Sequence, residues 1–572
     1  MNQRPPSVLI LADPREMADS NPIWGTGGWL PAHDRRALDW LTLCRLSGLG
    51  VEVVPTSDFR ATRLGSATRW LILGCDSAEL GPETVRELRA AIGRQPLVLL
   101  GQATGEGHPL ADWLGIHSIP DTVCGRRLSA SGGHQMNCAR PLTLPRLHFH
   151  TGARPVAWLA DYPIAIETTV GIGKAVVTAF DASELRDHDG AGGALLIRLL
   201  SACALQAHAT LHWQGMLIPR MDDPGSSEAL HHRIYDHSCL GRDAWQGIAA
   251  VLRRHHARIS VGYVSGWVDS GEAMPGRLLL DGNEAAREAG MVHPSPRVCF
   301  ERHAGGCLIS YDHRAEYQVL QELRREELLE VEMHGHTHVF PDRMKWLVAP
   351  DRFDNRDWFR EFGAAAASYL DGHPEVPHPV DEALALFREY FDHIPSSLIC
   401  PGEVFTRRVL EKALERGLMQ VSSYYLAFRH HERLCWTQHV CAPYLDQADV
   451  AWFTAGLPVV GCFHDFDIAR HGVDWLANCL DGWVAAGCRR IGGLDDLNAL
   501  LQLRMELLDT PQGWQVRLQG DPAWRLPRSF ELLLHFPGRG TPESVDAFID
   551  GKTAAAELYR YSDDTALLAI TC

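Results

Sequence analysis

Two short stretches of this chain carry residue types that can hold a metal ion and activate water. The first is Arg220-Met-Asp-Asp-Pro-Gly225, which follows the apolar run Gly215-Met-Leu-Ile-Pro219. That run reads as a buried strand, and Pro-Gly ends it. Adjacent strand residues point to opposite faces, so Asp222 and Asp223 can serve one site only where the strand has just ended. Paired acids at the carboxyl tip of a buried strand are where an α/β barrel keeps its chemistry, although Asp-Asp-Pro-Gly is also the composition of a solvated turn. The second stretch, His334-Gly-His-Thr-His338, decides between these readings. It directly follows the predicted strand Leu328-Leu-Glu-Val-Glu-Met333. His334 and His338 are four apart, so a helical turn or tight loop places both on one ion. His336 is offset and is expected to point elsewhere. Neutral imidazoles suit Zn, Fe, Co or Ni. Gly335 follows His334, so the H-E-x-x-H pattern of zinc proteases is absent. Asp223, His334 and His338 thus form a His-His-Asp set that leaves positions open for water and substrate. His231-His232 and His430-His431 read as solvated pairs in a chain with 29 histidines.

The elements that must position these residues alternate. After Gly225 a helix is predicted over 243–256, strands at Arg258-Ile-Ser-Val-Gly-Tyr-Val264 and Cys307-Leu-Ile-Ser-Tyr311, and a helix over 314–327. This βα alternation implies a parallel sheet. The first two hundred residues alternate in the same way. Ser7-Val-Leu-Ile-Leu-Ala12, Val51-Glu-Val-Val54, Arg69-Trp-Leu-Ile-Leu-Gly74 and Pro96-Leu-Val-Leu-Leu-Gly101 read as strands, with helices over 34–47 and 82–92. Residues 117–152 read as an irregular, partly β insertion. Beyond Leu500 the pattern becomes short alternating strands with turn signals, including a hairpin at Asp550-Gly-Lys552. About 70 residues of this kind suggest a small β-sandwich.

In its middle part, roughly 211–500, the chain resembles the polysaccharide-deacetylase family, the NodB-homology fold. The resemblance rests on motifs in order. Met221-Asp-Asp-Pro224 matches the family's acid pair, which implies that Asp222 is the general base and Asp223 a metal ligand. His334 to His338 matches the histidine motif, with Gly335 in place of a hydroxyl residue. Pro401 in Leu398-Ile-Cys-Pro-Gly402 matches the third motif, but Cys400 stands where an Arg orients the catalytic Asp. Arg220, two residues before Asp222, is the candidate to replace it. Leu457-Pro-Val-Val-Gly-Cys-Phe-His464-Asp465 matches the closing strand and implies His464 as the catalytic acid. The family's Asp-and-Trp motif finds no match; Val421-Ser-Ser-Tyr-Tyr425 occupies that region. The gap from Asp223 to His334 is longer than usual, and much of it, with 348–393, reads as inserted. Trp346, Trp358, Tyr369 and His373 in these stretches fit a sugar-stacking groove or a local core.

The N-terminal part resembles the glutamine-amidotransferase-like variant of a flavodoxin-like fold. The motifs are Trp70-Leu-Ile-Leu-Gly-Cys75, Leu97-Val-Leu-Leu-Gly-Gln102 and the late pair Pro163-Ile-Ala-Ile-Glu-Thr-Thr169 and Gly171-Ile-Gly-Lys-Ala-Val-Val-Thr-Ala-Phe-Asp181. The nucleophile is missing. The elbow reads Gly101-Gln-Ala-Thr-Gly105, and Cys75 lacks flanking glycines. A non-catalytic domain is therefore expected.

The totals set outer bounds. A net charge of -17 argues against a broad nucleic-acid surface and against binding to an anionic membrane. Fifteen cysteines without a repeated C-x-x-C spacing suit a reducing compartment. No segment reads as a signal peptide or a membrane span, so a cytoplasmic location is expected. The expectation is an α/β protein of three parts. Residues 1–208 form a flavodoxin-like parallel-sheet domain, 209–500 a distorted (β/α) barrel and 501–572 a small β-sandwich. The expected activity is N-deacetylation of an N-acetylated sugar or polysaccharide. The catalytic residues would be Asp222, His464 and Arg220, and a divalent metal, Zn2+ before Co2+, Ni2+ or Fe2+, would sit on Asp223, His334 and His338. The alternatives are an amide or deformylase-type hydrolase of a smaller soluble intermediate, and a catalytically degenerate carbohydrate-binding protein. Oligomeric state is not legible.

Overall fold

The structure, a computed structural model, describes residues 7–14, 36–131, 134–182, 191–231, 237–348, 357–423, 426–430, 433–437, 441–442, 444–454, 456–522 and 524–572. His232, Tyr424, Tyr425 and His431 lie outside them. It is a mixed α/β protein built on three large sheets.

The first sheet has nine strands. Five are parallel, in the spatial order Val51–Pro55, Val8–Ala12, Trp70–Gly74, Val98–Gln102, Gly173–Thr178. In chain order this is 2-1-3-4-5, a doubly wound order. Val8–Ala12 and Trp70–Gly74 are buried at every residue, as parallel strands covered on both faces must be. Four antiparallel strands extend the sheet, ending in Ile116–Ala130 and His134–Phe149. The region expected to be irregular is therefore a long regular hairpin. Met136, Cys138, Leu142 and Leu144 are buried at even spacing on one strand. Pro120 and Pro141 lie where the register shifts, in bulges that need no N–H in the ladder. Read as turn signals, those prolines hide the alternation.

The central sheet curls into a nearly closed barrel. Its parallel strands run in the order Cys441–Ala442, Val459–His464, Met216–Asp222, Ile259–Tyr263, Leu329–Met333, Ser397–Ile399, Gln420–Ser422. Two antiparallel strands, Leu426–His430 and Arg433–Thr437, follow. All the parallel carboxyl ends, and the loops after them, face one rim. Helices cover the outside. Arg242–Arg254 buries Trp245, Ile248, Ala249 and Leu252, a stripe at helical spacing. The long gap between Asp223 and His334 contains a four-stranded antiparallel sheet around Trp267, Leu278, Val298, Phe300 and Tyr311. Trp346 and Trp358 are buried with Val339, Phe340 and Ala366, so these rings form a local core.

The third sheet has seven strands drawn mostly from the C-terminal stretch. Ile549 pairs with Lys552 across Asp550-Gly551, whose φ angles of 49° and 80° make the expected tight hairpin turn. The edge strand of this sheet is His208–His212, antiparallel to Ser529–His535. The chain thus pairs with its own C-terminal part just before it enters the barrel. One apolar cluster, including Trp40, Trp70, Trp213, Leu497, Val516 and Phe530, runs through all three sheets.

Candidate metal centre

Arg220 and Asp222 share the inner face of the strand Met216–Asp222, because they are two residues apart. Both are almost fully buried. The Arg220 guanidinium donates to Asp222 Oδ2 at 2.8 Å, to Ser422 Oγ at 3.0 Å and to the Ser423 carbonyl at 3.4 Å. It also pairs with Glu403 and lies 3.1 Å from Cys462 Sγ. Burial alone would pull this guanidinium down, but Asp222, Cys462 and Glu403 outweigh it and keep it charged. The strand ends at Asp222, and Asp223 turns away with φ 84°, a left-handed conformation uncommon outside glycine. The two neighbouring acids therefore leave the strand tip in different directions.

Asp223 points at the histidine loop. Its Oδ1 lies 3.1 Å from His334 Nε2 and 3.3 Å from His338 Nε2. An ion with ligand bonds of about 2.1 Å and tetrahedral angles sets its ligand atoms about 3.4 Å apart, so these spacings suit one. The other ring nitrogens differ in their surroundings. His334 Nδ1 donates to the Ile399 carbonyl at 3.1 Å, which leaves the Nε2 lone pair facing a carboxylate oxygen. That arrangement is repulsive unless a cation, proton or metal, lies between them. His338 Nδ1 lies 3.3 Å from Glu228 Oε2, within ion-pair distance. Burial opposes the charge on both sides, raising Asp223 and lowering His338. At Asp223 the two histidines win and hold it well below the usual carboxylate range, while at His338 Glu228 and then Asp223 win and raise it to about 10. The donor set, two imidazoles and one carboxylate in a buried pocket, fits a divalent metal.

His464 ends the strand Val459–His464 and sits in register with Asp222. A ligand atom of His464 lies within 4.8 Å of those of Asp222 and Cys462. Its ring stacks on Phe466 at 4.7 Å between centroids, and its Nδ1 lies 3.6 Å from Asp467 Oδ2. Burial lowers its imidazole, but Asp467, Asp223 and Asp222 raise it to about 9, so it carries a proton at neutral pH. Its side chain is 23% exposed, against 3% for Asp222, so it is the more open of the two. His336 points away as expected, with Nδ1 3.4 Å from Ser265 Oγ. Burial pushes its imidazole down to about 3.

Four carboxylates that support this site have no sequence signature. Glu228 borders His338. Glu403 neutralises Arg220 from the loop that carries Cys400. Glu316 accepts the Gly225 N–H at 3.0 Å and so fixes the turn after Asp223. Glu361 accepts from the backbone of the histidine loop. Of these, only Glu228 and Glu403 lie near a motif, and an acid beside a turn is too common to single out.

No family model matches the chain, and no curated protein matches its sequence. Among solved structures, a CE4 family pseudoenzyme from Bacillus anthracis is similar at a TM-score of 0.26 and 7% identity, over 50% of this chain and 65% of that one. A β-galactosidase from Bacillus circulans sp. alkalophilus is similar at 0.26 and 9% identity, over 34% of this chain and 30% of that one. An exo-β-1,4-mannosidase from Opitutaceae bacterium strain TAV5 is similar at 0.25 and 15% identity, over 35% and 37%. The chain spans only about a third of the length of either glycosidase, and no family membership follows.

Proposed function

We propose that the chain is a metal-dependent amide hydrolase of the N-deacetylase type, acting on an N-acetylated sugar. The observation that carries this reading is the meeting of His334 Nε2 and His338 Nε2 on one oxygen of Asp223, beside a second acid held by a buried arginine. When bound by Asp223, His334 and His338, a divalent ion supplies carbonyl polarisation and a water acidic enough to attack near neutral pH.

The chain's own residues supply the proton transfers. Asp222 is fixed through Oδ2 by Arg220, while its buried Oδ1 has no hydrogen-bond partner among the described residues. Oδ1 is therefore the atom to accept the proton of the attacking water. The new C–O bond forms as this proton moves to Asp222. The C–N bond then breaks only if its nitrogen is protonated, since an amine anion is too poor a leaving group. His464, whose ligand atom lies within 4.8 Å of that of Asp222, donates that proton. The products are the free amine and the acid, which releases its proton to become the carboxylate, and the proton taken up by Asp222 passes to His464 beside it, returning both groups to their starting states. Arg220 takes over the orienting role expected of an arginine at Cys400.

The burial of Asp222, Asp223, His334 and His338 also supports a narrower substrate range. A small soluble amide, an acetylated monosaccharide or another low-mass amide, suits a closed site better than an assembled polymer does. Amine release from a panel of N-acetylated mono- and oligosaccharides and simple acetamides tests the reading, with metal content measured on the same protein. Release from acetylated sugars supports deacetylation. Release from non-sugar amides alone would move the assignment to a general amide hydrolase. Metal-free protein without any release would leave a carbohydrate-binding module.

A further inference from the structure

We propose that Glu361 is a positioning residue that sets the spacing of His334 and His338 by holding the backbone between them; this rests on the metal reading above. Glu361 is 1% exposed and lies far along the chain from either motif, beyond Trp358 of the inserted stretch. Its carboxylate accepts the N–H of His336 at 2.8 Å, of Thr337 at 2.9 Å and of His338 at 3.3 Å. It also accepts the Thr337 hydroxyl at 2.9 Å. Three successive backbone N–H groups converging on one anion form a nest. The turn that aims them inward needs left-handed backbone at both ends, and Gly335 has φ 73° and His338 φ 64°. A Cβ on Gly335 would stand 2.1 Å from Glu361 Oε2 and 2.8 Å from Pro401 Cγ. Glycine at 335 is thus the counterpart of a carboxylate packed against that backbone. It also gives a reason why a hydroxyl residue is not found there.

The consequence concerns the metal ligands directly. His334 and His338 stand at the two ends of the segment that Glu361 grips. With the grip intact, both Nε2 atoms reach Asp223 Oδ1. Without it, three buried N–H groups lose their acceptor and the loop has no reason to keep this curvature. Second-layer partners of metal ligands are commonly worth 10- to 100-fold in metal affinity.

The test is a Co2+ titration of the full-length, metal-stripped protein, followed by visible absorption. Glu361→Gln keeps the shape but replaces one acceptor oxygen with a donor. The expected result is affinity weakened by about 10- to 100-fold, with an altered cobalt spectrum, while the far-ultraviolet circular dichroism of the metal-stripped protein is unchanged. A merely structural role would not change the spectrum of the bound ion. Unchanged affinity and spectrum in this variant would overturn the proposal and leave the metal reading standing. Absence of Co2+ binding by the unmodified protein would overturn both. Should Glu361→Gln not fold, Thr337→Val removes one donor at nearly constant shape. Weaker Co2+ affinity there supports the proposal, and unchanged affinity contradicts it.

Discussion

Asp222 and Asp223 are adjacent in sequence and sent in different directions by a backbone that turns left-handed at Asp223. Asp222 stays on the strand face that Arg220 occupies, and Asp223 swings to the histidines. Replacing Asp222 with Asn removes the proposed base without touching the three proposed metal ligands. The expected result is retained metal with amine release lowered by about 10²- to 10⁴-fold, checked by steady-state rates and metal analysis. Normal turnover would remove Asp222 from the mechanism. Arg220→Met makes a different prediction, because it leaves two buried acids without their cation. Unfolding in urea should show a loss of about 3–5 kcal/mol. Adding Glu403→Gln to Arg220→Met should recover part of it, since paired groups are not additive. The Asp pair, the His pair and Arg220 are legible in the sequence because each sits in a short run beside a strand end. Glu361 is not. It reaches the site by folding back from a distant segment, and nothing in the spacing of a lone glutamate announces that.

At the level of elements, the turns after the strands determine where the side chains meet. Gly225 has φ 87°, and a Cβ there would stand 2.4 Å from the Val264 carbonyl and 2.8 Å from the Tyr263 ring. Its N–H is held by Glu316. Gly225→Ala should therefore displace the Asp223 turn. The expected outcome is a stability loss of about 1–3 kcal/mol together with weaker metal binding, seen by urea unfolding and metal titration. Wild-type metal affinity in this variant would show that the turn does not position Asp223. The central parallel strands of the first sheet, such as Val8–Ala12 and Trp70–Gly74, are readable as continuous apolar runs because both of their faces are covered, whereas barrel strands such as Leu329–Met333 interleave buried Glu330 and Glu332. The hairpin of Ile116–Ala130 and His134–Phe149 is harder to read. Its alternation is real, but prolines seated in bulges look like breaks in a linear reading.

At the level of the molecule, the sheets meet in a core that also contains titratable groups. His208, on the edge strand, stacks on His535 at 4.5 Å between ring centroids, and Trp70 of the first sheet packs edge-on against His208 at 4.9 Å. Burial lowers the His535 imidazole to about 4, so it is neutral in the folded protein at neutral pH. Above pH ~6.5 neither folded nor unfolded chain binds this proton, and His535 adds no pH dependence. As pH falls from ~6.5 towards 4, the unfolded chain takes up a proton that the folded chain refuses, and stability drops. A shift of this size corresponds to about 3 kcal/mol in full. Urea unfolding between pH 7.5 and 4.5 should show this decline, reduced in His535→Gln. An identical acid slope in the two proteins would refute the assignment. The C-terminal strands are legible from their period-two pattern. Their pairing with His208–His212 is not, because a partner three hundred residues away leaves no local signal.

The most direct test of the proposed chemistry is the metal stoichiometry of the full-length protein. Metal-stripped protein titrated with Co2+ should bind one ion per chain, with visible bands of an N,O-coordinated ion. Those bands should be lost in His334→Ala and in Asp223→Ala. Failure to bind Co2+ at one per chain, or a spectrum unchanged in both variants, would contradict a metal centre on Asp223, His334 and His338.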